Sequence, residues 1–246
     1  MRPWHDDDAF WSAVEDVLFP ARRRELAEDE ARRIVACLGI EPGARILDLC
    51  CGVGRHSVQL AKLGFQVTAV DRTESYLKRA RASASEEGVE VEFIHEDMRR
   101  FRRDEAFDAA VNMFTSFGYF EDPEEDRLVV RNLCGSLRPG GRLMMDLMGK
   151  EVLARIFRPR DWHEGDGFII LEERAVSQNW SWIQNRWIVL RGDERRDLSL
   201  SHRLYAASEL IKLLRDEGFG AARSYGDLAG APYDHAAKRL VVVAEK

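Results

Sequence analysis

Apolar residues recur at spacings of three and four between positions 6 and about 19, where Phe10, Trp11, Val14, Val17 and Leu18 follow an aspartate run suited to a helix start. A second helix is expected from about 23 to 37, ending before Gly39. Residues 45 to 49 read as a short buried strand. The helix that follows from Gly54 carries Val58, Leu60, Ala61 and Leu63 on its buried side and stops at Gly64, as a glycine cap requires. Strands are expected at 66–70, 90–94, 107–112 and 141–147, with helical segments at 74–86 and 123–137 between them. That alternation implies a parallel sheet with helices on both faces, and ligands bind outside the carboxyl ends of such strands.

After the fifth strand the pattern becomes β-branched and aromatic, with polar breaks, and predicts three antiparallel strands near 168–176, 180–190 and 196–204. A helix returns at 208–214, opened by Ser208 and closed at Gly218, and residues 219–225 and 240–244 look like a final antiparallel pair. The chain therefore divides into an N-terminal helical cap (1–40), an α/β core (41–150), an antiparallel insert (165–205) and the end of the core (206–246). The insert is a candidate lid or dimer surface, because a short connection would suffice at that point. Trp180, Trp182 and Trp187 within it suit an acceptor pocket, a subunit contact or a small core equally.

Composition narrows the classes of partner. A chain of 246 residues suits one domain with a sizeable core and a small subdomain, and its net charge of −6 argues against nucleic acid. The arginines are interleaved with acids, as in Arg22-Arg23-Arg24-Glu25, which reads as a solvated helix face. Cys37, Cys50, Cys51 and Cys134 form no C-x-x-C pair and accompany no zinc-like histidine spacing, so a reducing compartment and no metal are expected. No signal-like apolar run opens the chain and no stretch approaches the ~18 apolar residues of a membrane span, which points to the cytoplasm.

The candidate chemistry lies at the first strand. Ile46-Leu47-Asp48-Leu49-Cys50-Cys51-Gly52-Val53-Gly54-Arg55-His56-Ser57 is a buried strand running through a glycine turn into a helix, and Asp71 ends the next strand. Such a β-α-β unit holds the adenosine half of a cofactor, since glycines admit the ligand to the backbone and the acid accepts from ribose hydroxyls. Asp48 would sit beside a pyrophosphate and repel it, and the G-x-G-x-x-G spacing is incomplete in either register, both of which oppose a dinucleotide. A ligand bearing an ammonium and a sulfonium would gain from the same acid. Asp48-Leu49-Cys50-Cys51-Gly52-Val53-Gly54 resembles the first motif of the class I S-adenosylmethionine (SAM)-dependent methyltransferases, D-x-G/A/C-x-G-x-G.

The resemblance implies a Rossmann-like seven-stranded sheet whose last strand is antiparallel, extended here by the insert. It implies SAM as cofactor, held by Asp48, Cys50, Gly52, Gly54, Arg55, Asp71, Arg72, Asp97, Met98, Asn112 and Met113. Asp71 would take the ribose, although an acid there also suits a helix cap, and Asp97 with Met98 would meet the adenine. The stretch Phe114-Thr115-Ser116-Phe117-Gly118-Tyr119 narrows the likeness to small-molecule methyltransferases, including those of amino sugars, and places Tyr119 toward the acceptor. A D/N-P-P-Y/F box is absent, since Asn112 is followed by Met113 and Phe114. Pro139-Gly140-Gly141 is a turn with a geometric role only. Methyl transfer to an amine needs orientation more than a base, whereas an alcohol acceptor would draw in a histidine. The expected partners are a small-molecule acceptor and a second copy of the chain in a homodimer, and the rival classes are a non-catalytic methyltransferase-like binding subunit and a dinucleotide oxidoreductase.

Overall fold

The computed structural model describes residues 3–165 and 167–246, so the first two residues of the expected helical cap and Asp166 in the insert lie outside the described residues. A single 3-10 turn at Trp4–Asp6 leads into α1 (Asp8–Leu18), which is capped by the Asp7 carboxylate accepting from the Ala9 N–H at 2.9 Å. The expected helix over 23–37 is two helices, α2 (Ala21–Glu25) and α3 (Ala27–Leu38), meeting at Leu26. Then follow β1 (Arg45–Leu49), α4 (Arg55–Lys62), β2 (Gln66–Asp71), α5 (Glu74–Glu86), β3 (Glu92–His95), β4 (Phe107–Asn112), α6 (Pro123–Ser136) and β5 (Leu137–Leu147). Next come α7 (Lys150–Ile156), β6 (Arg160–Gly165), β7 (Phe168–Ser177), β8 (Trp182–Arg191), β9 (Glu194–Arg203), α8 (Ala207–Asp216), β10 (Ala221–Tyr225) and β11 (Leu240–Glu245).

The main sheet has the order β10-β11-β5-β4-β1-β2-β3, with β11 antiparallel to both neighbours and β1 to β5 parallel. Side chains alternate across it, as the two-residue period demands. Ile46, Val67, Ala109 and Met144 face α3, α4 and α5 through Ala31, Ile34, Leu38, Leu60 and Leu77. Leu47, Leu49, Ala110 and Leu143 face α6 and α8 through Val129, Leu133, Leu210 and Leu214. Both faces are thus covered, which is why the central strands read as near-continuous apolar runs. Register aligns Asp48 with Ala69 and Asp71 with His95, so the acids of successive parallel strands emerge at one edge.

The insert is a four-stranded antiparallel sheet, β6-β7-β8-β9, one strand more than its sequence suggests. It has a small core of Phe168, Ile170 and Val189, against which Trp187, Leu198 and Val17 of α1 pack. It adjoins the carboxyl side of the main sheet. The Arg203 N–H donates to the Gly118 carbonyl at 2.6 Å, and the Trp4 indole donates to the Ser201 carbonyl at 2.9 Å. Trp182 is buried under the Arg203 guanidinium and Trp180 packs edge-on to Phe157, so none of the three insert indoles lines the cleft described next. Among the described residues no helix is long and apolar enough to cross a membrane.

Candidate functional site

A cleft enclosing about 980 Å³ of free space, its open mouth included, lies at the carboxyl ends of β1 to β4. The chain supplies its floor from strand ends and its roof from the N-terminal segment. Leaving β1, Cys50 and Cys51 both donate to the Val70 carbonyl, at 2.8 and 3.0 Å, which pulls the turn onto β2. Cys50 adopts φ 65° and Gly52 φ 57°, and a Cβ on Gly52 would stand 2.7 Å from the Phe19 ring, so only glycine fits there.

The Asp71 carboxylate fastens that turn to the start of α5, accepting from the Gly52 N–H through Oδ2 and from the Thr73 N–H through Oδ1, both at 2.8 Å. An ionised carboxylate has about four acceptor positions, so roughly one remains open on each oxygen. Burial pushes the Asp71 acid up, against the pull of those two N–H bonds. Asp48 is buried and accepts from the Ser57 hydroxyl at 2.5 Å; burial raises its pKa too, opposed by His56, Ser57 and Arg55. Asp97 is different. Burial acts upward on it as well, but Arg99 grips both oxygens at 2.9 and 2.7 Å and holds the acid below its ordinary value.

Ten of the residues expected to hold cofactor or acceptor meet in this cleft: Asp48, Cys50, Gly52, Arg55, Asp71, Arg72, Asp97, Met98, Met113 and Tyr119. Two do not line it. Gly54 faces away, where a Cβ would stand 2.8 Å from the Ala80 Cβ, so it serves the packing of α4 on α5. Asn112 is fully buried behind the wall, donating to the Leu49 carbonyl at 3.1 Å and tying β4 to β1. Arg72 lines the cleft but spends its guanidinium on the roof, donating to the His5 carbonyl at 2.8 Å and the Asp6 carbonyl at 3.1 Å.

That roof is what the sequence reading missed. His5, Trp11, Phe19 and Arg23 reach the cleft from the first 25 residues, and Tyr76 supports them by donating from its hydroxyl to the Trp11 carbonyl at 2.6 Å. Trp4 packs edge-on to Tyr119 with ring centroids 4.9 Å apart. Burial drives the Tyr119 hydroxyl above its usual pKa and holds His5 below its own. At neutral pH the tyrosine is therefore a hydrogen-bond partner and the imidazole is neutral. For Trp11 the signal in the sequence is the apolar stripe of α1, which says that a face is buried and not what it covers, while His5, Phe19 and Arg23 lie outside that helix. His56 is likewise no free base, since its Nε2 stands 2.8 Å from Glu30. Among the described residues no group of three or more His, Cys, Asp and Glu is placed to hold a metal ion.

Comparison with known proteins matches residues 46–141 to the family model of a methyltransferase domain. The chain is 29% identical over 208 residues to a putative methyltransferase, YqeM, of Bacillus subtilis (strain 168), covering 82% of this chain and 84% of that one. Among solved structures it is similar to the CcbJ methyltransferase from Streptomyces caelestis, with TM-score 0.80, 18% identity and coverage of 98% and 97%. It is also similar to a SAM-dependent methyltransferase from Clostridium acetobutylicum ATCC 824, with TM-score 0.78, 16% identity and coverage of 97% and 98%.

Proposed function

We infer that the chain is an enzyme that transfers the methyl group of SAM to nitrogen or oxygen of a small-molecule acceptor, a reading supported by the match of residues 46–141 to a methyltransferase domain and by a fold like that of SAM-dependent methyltransferases. The observation that carries this reading is the charge at the glycine turn. Asp48 lies beside the turn, in the place where a dinucleotide would bring a pyrophosphate, and shares the cleft with Asp71 and Asp97. Carboxylates there oppose phosphate and suit a ligand with a cationic end and a ribose.

The residues present fit such a ligand. Asp71 keeps open acceptor positions for two vicinal hydroxyls, while Gly52 and Thr73 fix its plane. Asp48 supplies a buried negative charge beside the turn, and Met98 an apolar wall. SAM, when bound, supplies a methyl group already activated on a sulfonium. The chain then has to orient, exclude water and manage a proton. Trp11, Phe19, Tyr76, Phe114 and Tyr119 line the cleft with aromatic rings, which dries the site and strengthens each polar contact inside it. Tyr119 orients the acceptor by hydrogen bonding, and for an oxygen acceptor neutral His5 is the cleft residue able to take the proton.

A roofed cleft between α1 and the strand ends admits a small molecule more readily than a folded macromolecule. The experiment is to incubate the protein and methyl-labelled SAM with a cell extract separated by size. Label should enter the small-molecule fraction, and label found only in protein or nucleic acid would overturn the acceptor class.

A further inference from the structure

The insert leaves one sheet edge open. Strand β6 is the outermost of the four, and among the described residues no strand pairs with its free side. The phase of its ladder to β7 is fixed by the Arg174 N–H, which donates to the Pro159 carbonyl at 2.8 Å. Bonded pairs alternate along antiparallel strands, so Asp161, His163 and Gly165 exchange bonds with β7, while the backbone groups of Arg160, Trp162 and Glu164 point outward. In keeping with this, the Trp162 N–H donates to the side chain of its neighbour Asp161, at 3.0 Å.

Proteins blunt such edges with proline, with charge or by keeping the strand short. Here the middle of the edge is a tryptophan, 60% exposed. Trp162 stands opposite Leu171, and Leu171 opposite Ile188. These positions alternate with Phe168, Ile170 and Val189, which meet Val17 of α1, so they lie on the face turned away from that helix. Leu171 is exposed as well, and the apolar row therefore runs out to the open edge, as on a template for a further strand.

The sequence of the edge says which strand. Arg160-Asp161-Trp162-His163-Glu164 is its own complement when turned end to end. In an antiparallel pairing of two copies about a two-fold axis at Trp162, Arg160 of one copy faces Glu164 of the other, Asp161 faces His163, and the two indoles lie side by side. Moving the axis one residue to either side would set Asp161 against its own copy or His163 against its own. Arg160 is available for that role, since its side chain is 84% exposed and its contact with Glu173 is 3.5 Å long.

We propose that two copies of the chain pair through β6 in this register, which joins two four-stranded inserts into one continuous antiparallel sheet. The outward groups of Arg160, Trp162 and Glu164 then bond across the axis, and the apolar row of one copy runs into that of the other. The contact is made at the edge opposite β9, the strand whose end meets Gly118 and Trp4, so it leaves the roof of the cleft alone and does not depend on the methyl-transfer reading.

Sedimentation velocity on the full chain, in a dilution series reaching roughly 100 μM, tests the pairing by mass action. The wild type should run as a dimer. Glu164→Arg or Arg160→Glu sets like charges face to face twice over, and each should weaken the dimer roughly ten- to a hundredfold. The double variant R160E/E164R returns opposite charges to the axis and should dimerise as the wild type does. Far-UV circular dichroism checks that each variant keeps its fold, and if one single variant misfolds the other gives the same reading. A monomeric wild type overturns the proposal, whether the edge takes another partner or none. So does a dimer that neither single variant weakens, which would use another surface, and so does one that the double variant fails to restore, which would mean another register.

Discussion

Asp71 couples fold and ligand through one carboxylate. Its two bonds to Gly52 and Thr73 set the turn, and its open positions face the cleft. Asp71→Ala should cost roughly 2–4 kcal/mol of SAM affinity through two lost charge-assisted bonds, read by calorimetry. Asp71→Asn should cost part of this, since an amide keeps a single acceptor oxygen for the two N–H groups. Tyr119→Phe tests the acceptor side. It should lower turnover by roughly ten- to a thousandfold and leave SAM affinity nearly unchanged, the pattern of an interaction made mainly in the transition state; a loss confined to SAM affinity would remove Tyr119 from that role. At this scale the strand-end residues were legible in the sequence because their spacing is local. Asp48, Gly52 and Asp71 lie within 24 positions of one another on a single β-α-β unit. His5, Trp11, Phe19 and Arg23 were not, because they reach the cleft across contacts such as Arg72 to His5, 67 residues apart. Gly54 shows the converse, a motif glycine that answers to helix packing.

Elements with a strong period were legible and weak ones were not. Strands β1, β2 and β4 and helices α4 and α5 follow the pattern of the sequence closely, since the strands are buried on both faces and each helix lays one apolar stripe on the sheet. Helix α7 has seven residues and buries only Val152, and edge strand β6 buries none, so neither leaves a periodic trace. The break at Leu26 sits between helix-forming residues and carries no glycine or proline signal. The cap of helix α8 is Ala206, two residues before the expected Ser208, because the Glu209 carboxylate accepts from the Ala206 N–H at 2.8 Å. The insert depends on one tight junction. Gly118 has φ 89°, and a Cβ there would stand 2.8 Å from the Arg203 carbonyl. Gly118→Ala should therefore destabilise the protein by about 1–3 kcal/mol in denaturant melts. Gly192→Ala, at φ 55° in open space, should cost less.

The molecule as a whole is tied together by buried acids, and one of them makes its stability depend on pH. Asp126 of α6 accepts from Tyr205 at 2.7 Å and from Arg203 at 3.1 Å, joining α6 to the end of the insert. Burial raises it to about 6, although both partners pull it down. Its folded pKa exceeds the unfolded one, so the protonated acid favours folding: this contribution is full below about 4 and fades as pH rises through about 6, a span of about 3 kcal/mol. Asp97 and Glu30 act in the opposite sense, being held below their ordinary values and losing their contribution as pH falls through the acid range. The melting temperature should accordingly rise as pH is lowered from 7.5 toward 5.5, and Asp126→Asn should flatten that rise in scanning calorimetry. The central claim concerns the ligand of the cleft, where three carboxylates meet a glycine turn under an aromatic roof. Parallel calorimetric titrations of the wild-type protein with S-adenosylhomocysteine and with NAD test it most directly. Saturable one-to-one binding of S-adenosylhomocysteine with no heat from NAD is the predicted result, and binding of NAD in preference, or of neither, would contradict it.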